Sequence, residues 1–158
     1  MEPEAAFQAL VEEGVEFVLI GGLAATVHGA SRVTLDIDIC FRQEAGNCAR
    51  LVRALGRLAA EVFPPREPPV ELTAELLLRY GMFHLRTAAG RLDLLTIVPG
   101  LGTFDDLAGG ATSVDLSGLA VPVLSLDQLI RSKAALNQPK DREHLDQLLA
   151  IQRLRDES

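Results

Sequence analysis

Residues 31–41 read Ser31-Arg32-Val33-Thr34-Leu35-Asp36-Ile37-Asp38-Ile39-Cys40-Phe41, an alternation that predicts a strand over 32–41. Strand side chains point alternately to the two faces of a sheet. Arg32, Thr34, Asp36 and Asp38 therefore share one face, and Val33, Leu35, Ile37 and Ile39 the other. The two carboxylates then lie roughly 6 to 7 Å apart at their Cα atoms. At about 6 Å and an effective dielectric of about 20 their repulsion is about 3 kcal/mol, so solvent, Arg32 or a cation must relieve it. Taken alone, the pattern also describes an ordinary strand with one wet face.

Asp93 extends the pattern. It stands inside Arg91-Leu92-Asp93-Leu94-Leu95-Thr96-Ile97, an otherwise apolar strand in which an unpaired charge is costly. If this strand lies beside the one carrying Asp36 and Asp38, three carboxylates converge, and an all-oxygen anionic set suits Mg²⁺ or Mn²⁺ better than zinc. The alternative is a hairpin residue facing solvent. Upstream, the apolar strand 15–20 ends in Gly21-Gly22 and opens a short helix over 23–28, closed by Gly29. Such a turn brings backbone N–H groups close to an anion such as phosphate, and it is equally a plain turn. A dinucleotide site is excluded: there is no G-x-G-x-x-G, and the acids come too early for the usual offset of about 20 residues. A Walker A loop is absent as well.

Outward from this core, the chain alternates helices and strands. Helices are expected over 4–13, 48–62 and 73–80, with Pro64, Pro65, Pro68 and Pro69 breaking the chain between the last two. A hairpin follows, 82–87 and 91–98, with Ala88-Ala89-Gly90 as its turn. A short helix near 104–107 and two strands, 112–116 and 119–124, come next. Ser125-Leu126-Asp127-Gln128 is a capping box opening a helix to about 136, and Pro139 starts the last one. The expected architecture is α/β (α+β): a mixed β-sheet flanked by helices, with a core over 1–124 and a C-terminal helical extension over 125–158 packed on it as one domain.

The 158 residues suit one domain, and 48% hydrophobic with 23% charged residues is a globular balance. The net charge of -7 argues against a surface that grips nucleic acid throughout, because such binding rests on many Lys and Arg contacts to phosphate. Cys40 and Cys48 have no metal-ligand spacing and read as reduced thiols, and His28, His84 and His144 are scattered. No apolar run reaches the roughly 20 residues that span a bilayer. With an acidic Met1-Glu2-Pro3-Glu4 start, unlike a signal peptide, the expected location is cytoplasmic and no membrane partner is expected.

Ile20-Gly21-Gly22 followed by Asp36-Ile37-Asp38 and a later strand Asp93 resembles the DNA polymerase β-type nucleotidyltransferase superfamily. The fuller string Gly21-Gly22-Leu23-Ala24-Ala25-Thr26-Val27-His28-Gly29, with Arg32, Thr34 and the two acids, is most similar to small bacterial nucleotidyltransferases of the abortive-infection toxin type. The chain departs from that subgroup at Gln138, where an Arg is usual two positions before the Lys140-Asp141 pair, and at Gly22, where many relatives carry Ser.

The resemblance implies a nucleotidyltransferase fold and transfer of a nucleoside monophosphate from an NTP such as ATP to an acceptor hydroxyl. It implies that Asp36, Asp38 and Asp93 are both the catalytic and the Mg²⁺ (or Mn²⁺) ligand residues, and that Gly21 and Gly22 cradle the triphosphate. Lys133 and Lys140, the only lysines, become candidates for the phosphate charge, or else are solvated surface residues. Arg32 either touches the nucleotide or pairs with Asp36. The acceptor it implies is a partner protein or tRNA in a toxin–antitoxin or abortive-infection setting. The alternatives are a small molecule, as in antibiotic-modifying relatives, or a non-catalytic nucleotide-binding or interaction module. A tRNA acceptor calls for a basic groove around Arg131, Lys133, Lys140 and Arg142; a cationic small molecule calls for an acidic cleft, for which Glu67, Glu71 and Glu75 are candidates. With little room for an acceptor-recognition domain, the acceptor is expected to be small, or to be gripped by a second subunit of a homodimer or by a partner protein.

Overall fold

The computed structural model describes residues 2–31 and 36–158. In chain order the elements are α1 (Pro3–Glu12), β1 (Phe17–Ile20), α2 (Gly21–Val27), β2 (Asp36–Phe41), α3 (Ala45–Arg57), β3 (Glu61–Val62), α4 (Ala74–Arg79), β4 (Met82–Thr87) and β5 (Gly90–Leu95). They continue through β6 (Ile97–Val98), β7 (Gly102–Thr103), α5 (Phe104–Leu107), a 3₁₀ turn at Ala108–Gly110, β8 (Thr112–Leu116), β9 (Leu119–Val123), α6 (Leu126–Leu136) and α7 (Pro139–Asp156). The expected strand over 32–41 is present from Asp36; its first residues, Arg32 included, lie outside the described residues.

Seven strands form one mixed sheet in the order β3-β4-β5-β2-β1-β9-β8, while β6 and β7 pair separately. β5 runs parallel to β2 and β1 parallel to β9, and the other neighbours are antiparallel. β1 is buried along its whole length, as its apolar run requires of a strand in the middle of the sheet. In β2, β4 and β5 the alternation sorts the two faces. Ile37, Ile39, Phe83, Leu85, Leu92 and Leu94 are buried, whereas Asp36, Asp38, His84, Arg86, Arg91 and Asp93 occupy the intervening positions. Each fully buried aliphatic side chain contributes about 1.5–3 kcal/mol. That suffices to hold the register, since a slip of one residue would exchange the two faces.

The strand expected over 91–98 is divided into β5 and β6, and both ends of α3 and the hairpin turn also differ from the sequence expectation, each for a local reason. The helix expected over 48–62 begins at Ala45, because the Glu44 side chain caps it by accepting from the Asn47 N–H at 2.6 Å. It ends at Arg57: Ala59 turns left-handed (φ 51°), the Ala60 N–H closes onto the Leu55 carbonyl, and 61–62 leave as β3 along β4. The hairpin turn is also one residue shorter. Gly90, at φ 115°, belongs to β5 and pairs with Thr87, so the loop is Ala88-Ala89. The capping box forms as read, with Ser125 and Gln128 each accepting the other's backbone N–H.

Asn47 ties the sheet to α3. It is fully buried, accepts from the Glu16 N–H at 2.7 Å, and donates to the carbonyls of Glu16 and Arg42 at 3.0 and 2.8 Å. It thereby joins the approach to β1 with the exit of β2. Cys40 and Cys48 are free and buried, and burial pushes the Cys40 thiol up to about 12, so it stays protonated. Among the described residues no helix is long and apolar enough to cross a membrane.

Candidate active site

β2 and β5 run side by side and place Asp38 opposite Asp93, with Asp36 opposite Arg91. Asp93 is therefore not a solvent-facing hairpin residue: its side chain is 15% exposed, and its carboxyl hydrogen-bonds that of Asp38. Two carboxylates this close cannot both ionise freely. Burial first, then the charge and hydrogen bond of Asp93 and the charge of Asp36, push Asp38 up to about 7, with a small opposing pull from His84. Asp36 has turned toward Arg91, its Oδ1 3.8 Å from the guanidinium Nε. Among the described residues no group of three His, Cys, Asp or Glu side chains is already closed into a metal-holding cluster. The expected triad is thus a tight pair plus a third acid on the same face, engaged by an arginine.

Gly21 abuts this pair. Register opposes Ile20 to Asp38, so the next residue passes beside the Asp38 carboxylate. Gly21 has φ 71°, and a Cβ there would run into the Asp38 carboxyl oxygen, with the Asp38 Cβ and Cγ at 3.1 Å. Both the left-handed backbone and the lack of space require glycine. The Gly-Gly pair is not a loop before the helix, as expected, but its first turn, α2 starting at Gly21.

His84 is the residue the sequence reading passed over. Its Nδ1 lies 3.0 Å from Asp93 Oδ1, across the hairpin from β4. A three-residue turn would have set Leu94 opposite His84; the two-residue loop sets Asp93 there. The signal was Gly90, read as turn when it is the first residue of a strand.

The C-terminal lysines are placed elsewhere. Lys133 Nζ donates to Asp141 Oδ1 at 3.1 Å between α6 and α7, with both side chains largely covered at 22% and 12% exposed. Lys140 lines an open cleft of about 450 Å³ with Ser31, Glu143, His144 and Gln147, and none of the three acids lines it. His28 is structural: its Nε2–H donates to the Leu124 carbonyl at 2.7 Å, and its Nδ1 accepts from Arg155 at 3.1 Å. Burial, with Arg155 nearby, lowers its pKa and keeps the ring neutral.

A central mixed sheet flanked by helices, with Asp38 of one strand against Asp93 of its parallel neighbour beside the Gly-Gly start of α2, has the fold of solved nucleotidyltransferases. Neither a protein-family model nor a curated protein sequence matches the chain. Solved structures do. The candidate nucleotidyltransferase TM1012 of Thermotoga maritima superposes with TM-score 0.60 at 18% identity, over 94% of this chain and 90% of its own. ANT(2'')-Ia, solved with adenylyl-2''-tobramycin, gives 0.58 at 16% identity over 92% and 84%. The lincosamide antibiotic adenylyltransferase LnuA, solved with lincomycin, gives 0.59 at 16% identity over 90% of each chain. At such identities the likeness is one of fold.

Proposed function

We propose that this chain is a metal-dependent nucleotidyltransferase that moves a nucleoside monophosphate from an NTP to a hydroxyl of a small-molecule acceptor. The observation that carries the reading is the Asp38–Asp93 pair, held in register on adjacent strands against Gly21. The donor set fits Mg²⁺ or Mn²⁺. It is all oxygen, and a divalent cation would relieve the burial and carboxylate repulsion that raise Asp38. Asp38 and Asp93 would hold the cation, and Asp36 would join them on exchanging Arg91 for it. When bound, the metal neutralises triphosphate charge and stabilises both attacking and leaving oxygens.

The chain's own residues supply the rest. Backbone N–H groups at Gly21 and Gly22 would lie against the triphosphate, where no side chain obstructs its approach. Asp93 would also take the proton of the acceptor hydroxyl, its carboxylate held by His84. The hydroxyl oxygen then bonds to the α-phosphorus as the bond to pyrophosphate breaks. Lys140 remains a candidate for phosphate charge. Lys133 is a candidate only if it releases Asp141.

Charge pairing favours a small acceptor over tRNA. Of the four bases that a tRNA groove would use, Arg131 is engaged by Asp127 at 3.8 Å and Lys133 by Asp141 at 3.1 Å. Two fold neighbours, ANT(2'')-Ia and LnuA, are named for antibiotics, which are small molecules. The test is incubation with each labelled NTP, Mg²⁺ and a lysate of the host. Label should enter the small-molecule fraction, and Asp38→Ala or Asp93→Ala should abolish both transfer and pyrophosphate release. Label in protein or RNA would favour the toxin-type reading; tight NTP binding with no transfer would favour a non-catalytic module.

A further inference from the structure

Beside the acid pair, on the β3 side of the sheet, lies a cleft of about 520 Å³ between the proline-rich loop and β4. Its walls include Phe63, Arg66, Val70, Tyr80, Met82 and His84. We propose that this cleft is the acceptor subsite and takes a small hydroxyl compound with an apolar body and no positive charge. The inference rests on the nucleotidyl-transfer reading above and names its substrate class.

Three observations carry it. The first is position: His84 belongs both to the cleft wall and to the acid pair, its Nδ1 3.0 Å from Asp93. The cleft is thus separated by the single side chain of His84 from the carboxylate that would take the acceptor's proton. The second is the lining. Tyr80 and Met82 are 51% and 55% exposed, large apolar surfaces left to water beside a ring, Phe63, and a further aliphatic, Val70. The volume is that of a pocket for a drug-sized ligand rather than a macromolecular groove.

The third is charge. Among the described residues no Asp or Glu lines the cleft, and Glu67, Glu71 and Glu75, the candidates for an acidic cleft, are exposed and outside its wall. Its fixed charge is Arg66, and Arg86 and Arg91 stack on the Phe63 ring at 4.2 and 5.1 Å from its centroid. This positive rim repels a polycationic acceptor such as an aminoglycoside and accepts a neutral or anionic one.

The chain has two methionines, so the Met82 methyl is read directly by NMR. 2-Naphthaleneethanol, a neutral aromatic alcohol, should shift the Met82 methyl and the His84 ring saturably, whereas tobramycin should leave both in place. Tyr80→Ala, an exposed position, should weaken the alcohol about tenfold, the loss of one well-packed aromatic contact, and leave Mg·ATP binding unchanged. No shift up to the solubility limit, a shift of the same signals by tobramycin, or an undiminished affinity in Tyr80→Ala would overturn the inference. Calorimetry with Mg·ATP separates the two layers. If Mg·ATP binds and the alcohol does not, the cleft assignment alone falls; if the alcohol seats and Mg·ATP does not bind, the transfer reading falls and the acceptor role with it.

Discussion

Gly21 lies against the carboxylate of Asp38 so closely that its missing side chain is part of the site. The contact joins the end of β1, the first turn of α2 and the acid pair into one structural unit. Gly21→Ala adds both a left-handed strain of about 1–3 kcal/mol for a non-glycine residue and a collision with the acid. The expected outcome is a lowered melting temperature together with loss of Mg·NTP binding, followed by thermal unfolding and calorimetry on the same preparation.

Asp38 makes metal-free stability depend on pH in a direction opposite to most acids. Its ordinary value of 3.8 is pushed up to about 7 in the fold, by burial first and Asp93 second. The folded chain therefore keeps a proton that the unfolded chain releases above about pH 4. The group's contribution is fully present below pH 4 and is lost as pH rises through 7. Asp38→Asn, which removes the charge, should melt several degrees higher than wild type at pH 8 and close to it at pH 4, while being inactive. Mg²⁺ should raise the wild-type melting temperature more at pH 8 than at pH 5, because it competes with that proton.

Lys133 should behave as a structural residue. Removing it leaves Asp141 largely buried and without its cation, and breaking such a pair costs about 3–5 kcal/mol in a fully buried setting, less with the exposure here. Lys133→Met should lose stability by urea unfolding, whereas Lys140→Met should leave it unchanged. Equal unfolding midpoints for the two variants would contradict this assignment.

Asn47 offers a test of the scaffold alone. Asn47→Ala leaves the Glu16 N–H and the carbonyls of Glu16 and Arg42 without their partner, at about 1–3 kcal/mol for each group left dry. A midpoint shift of that order is expected in urea, with Mg·NTP affinity retained in the fraction that remains folded.

Much of this was legible in the residues because period-two alternation and burial are the same fact. Ile37 and Ile39 had to face a core, which put Asp36 and Asp38 on the other side, and Asp93 among leucines had to meet something polar. What stayed hidden depended on single residues with two readings. Gly90 serves as a turn residue or as the first residue of a strand, and that choice alone decides whether His84 faces Asp93 or Leu94. Leu58, Ala60 and Val62 are apolar at strand spacing and Leu58 and Val62 also at helical spacing, so the end of α3 was set by the left-handed Ala59 and by pairing with β4. The pairing of Lys133 with Asp141 required the angle between two helices, which sequence spacing does not carry.

The central claim is that Asp38 and Asp93 form the cation site of an NTP-binding centre. Calorimetric titration of ATP at pH 8, with and without Mg²⁺, on wild type and Asp38→Asn, tests it most directly. The account predicts saturable binding to wild type that requires Mg²⁺ and disappears in Asp38→Asn, whose fold is intact by circular dichroism. Absence of Mg²⁺-dependent binding in wild type, or equal affinity in the two proteins, would contradict it.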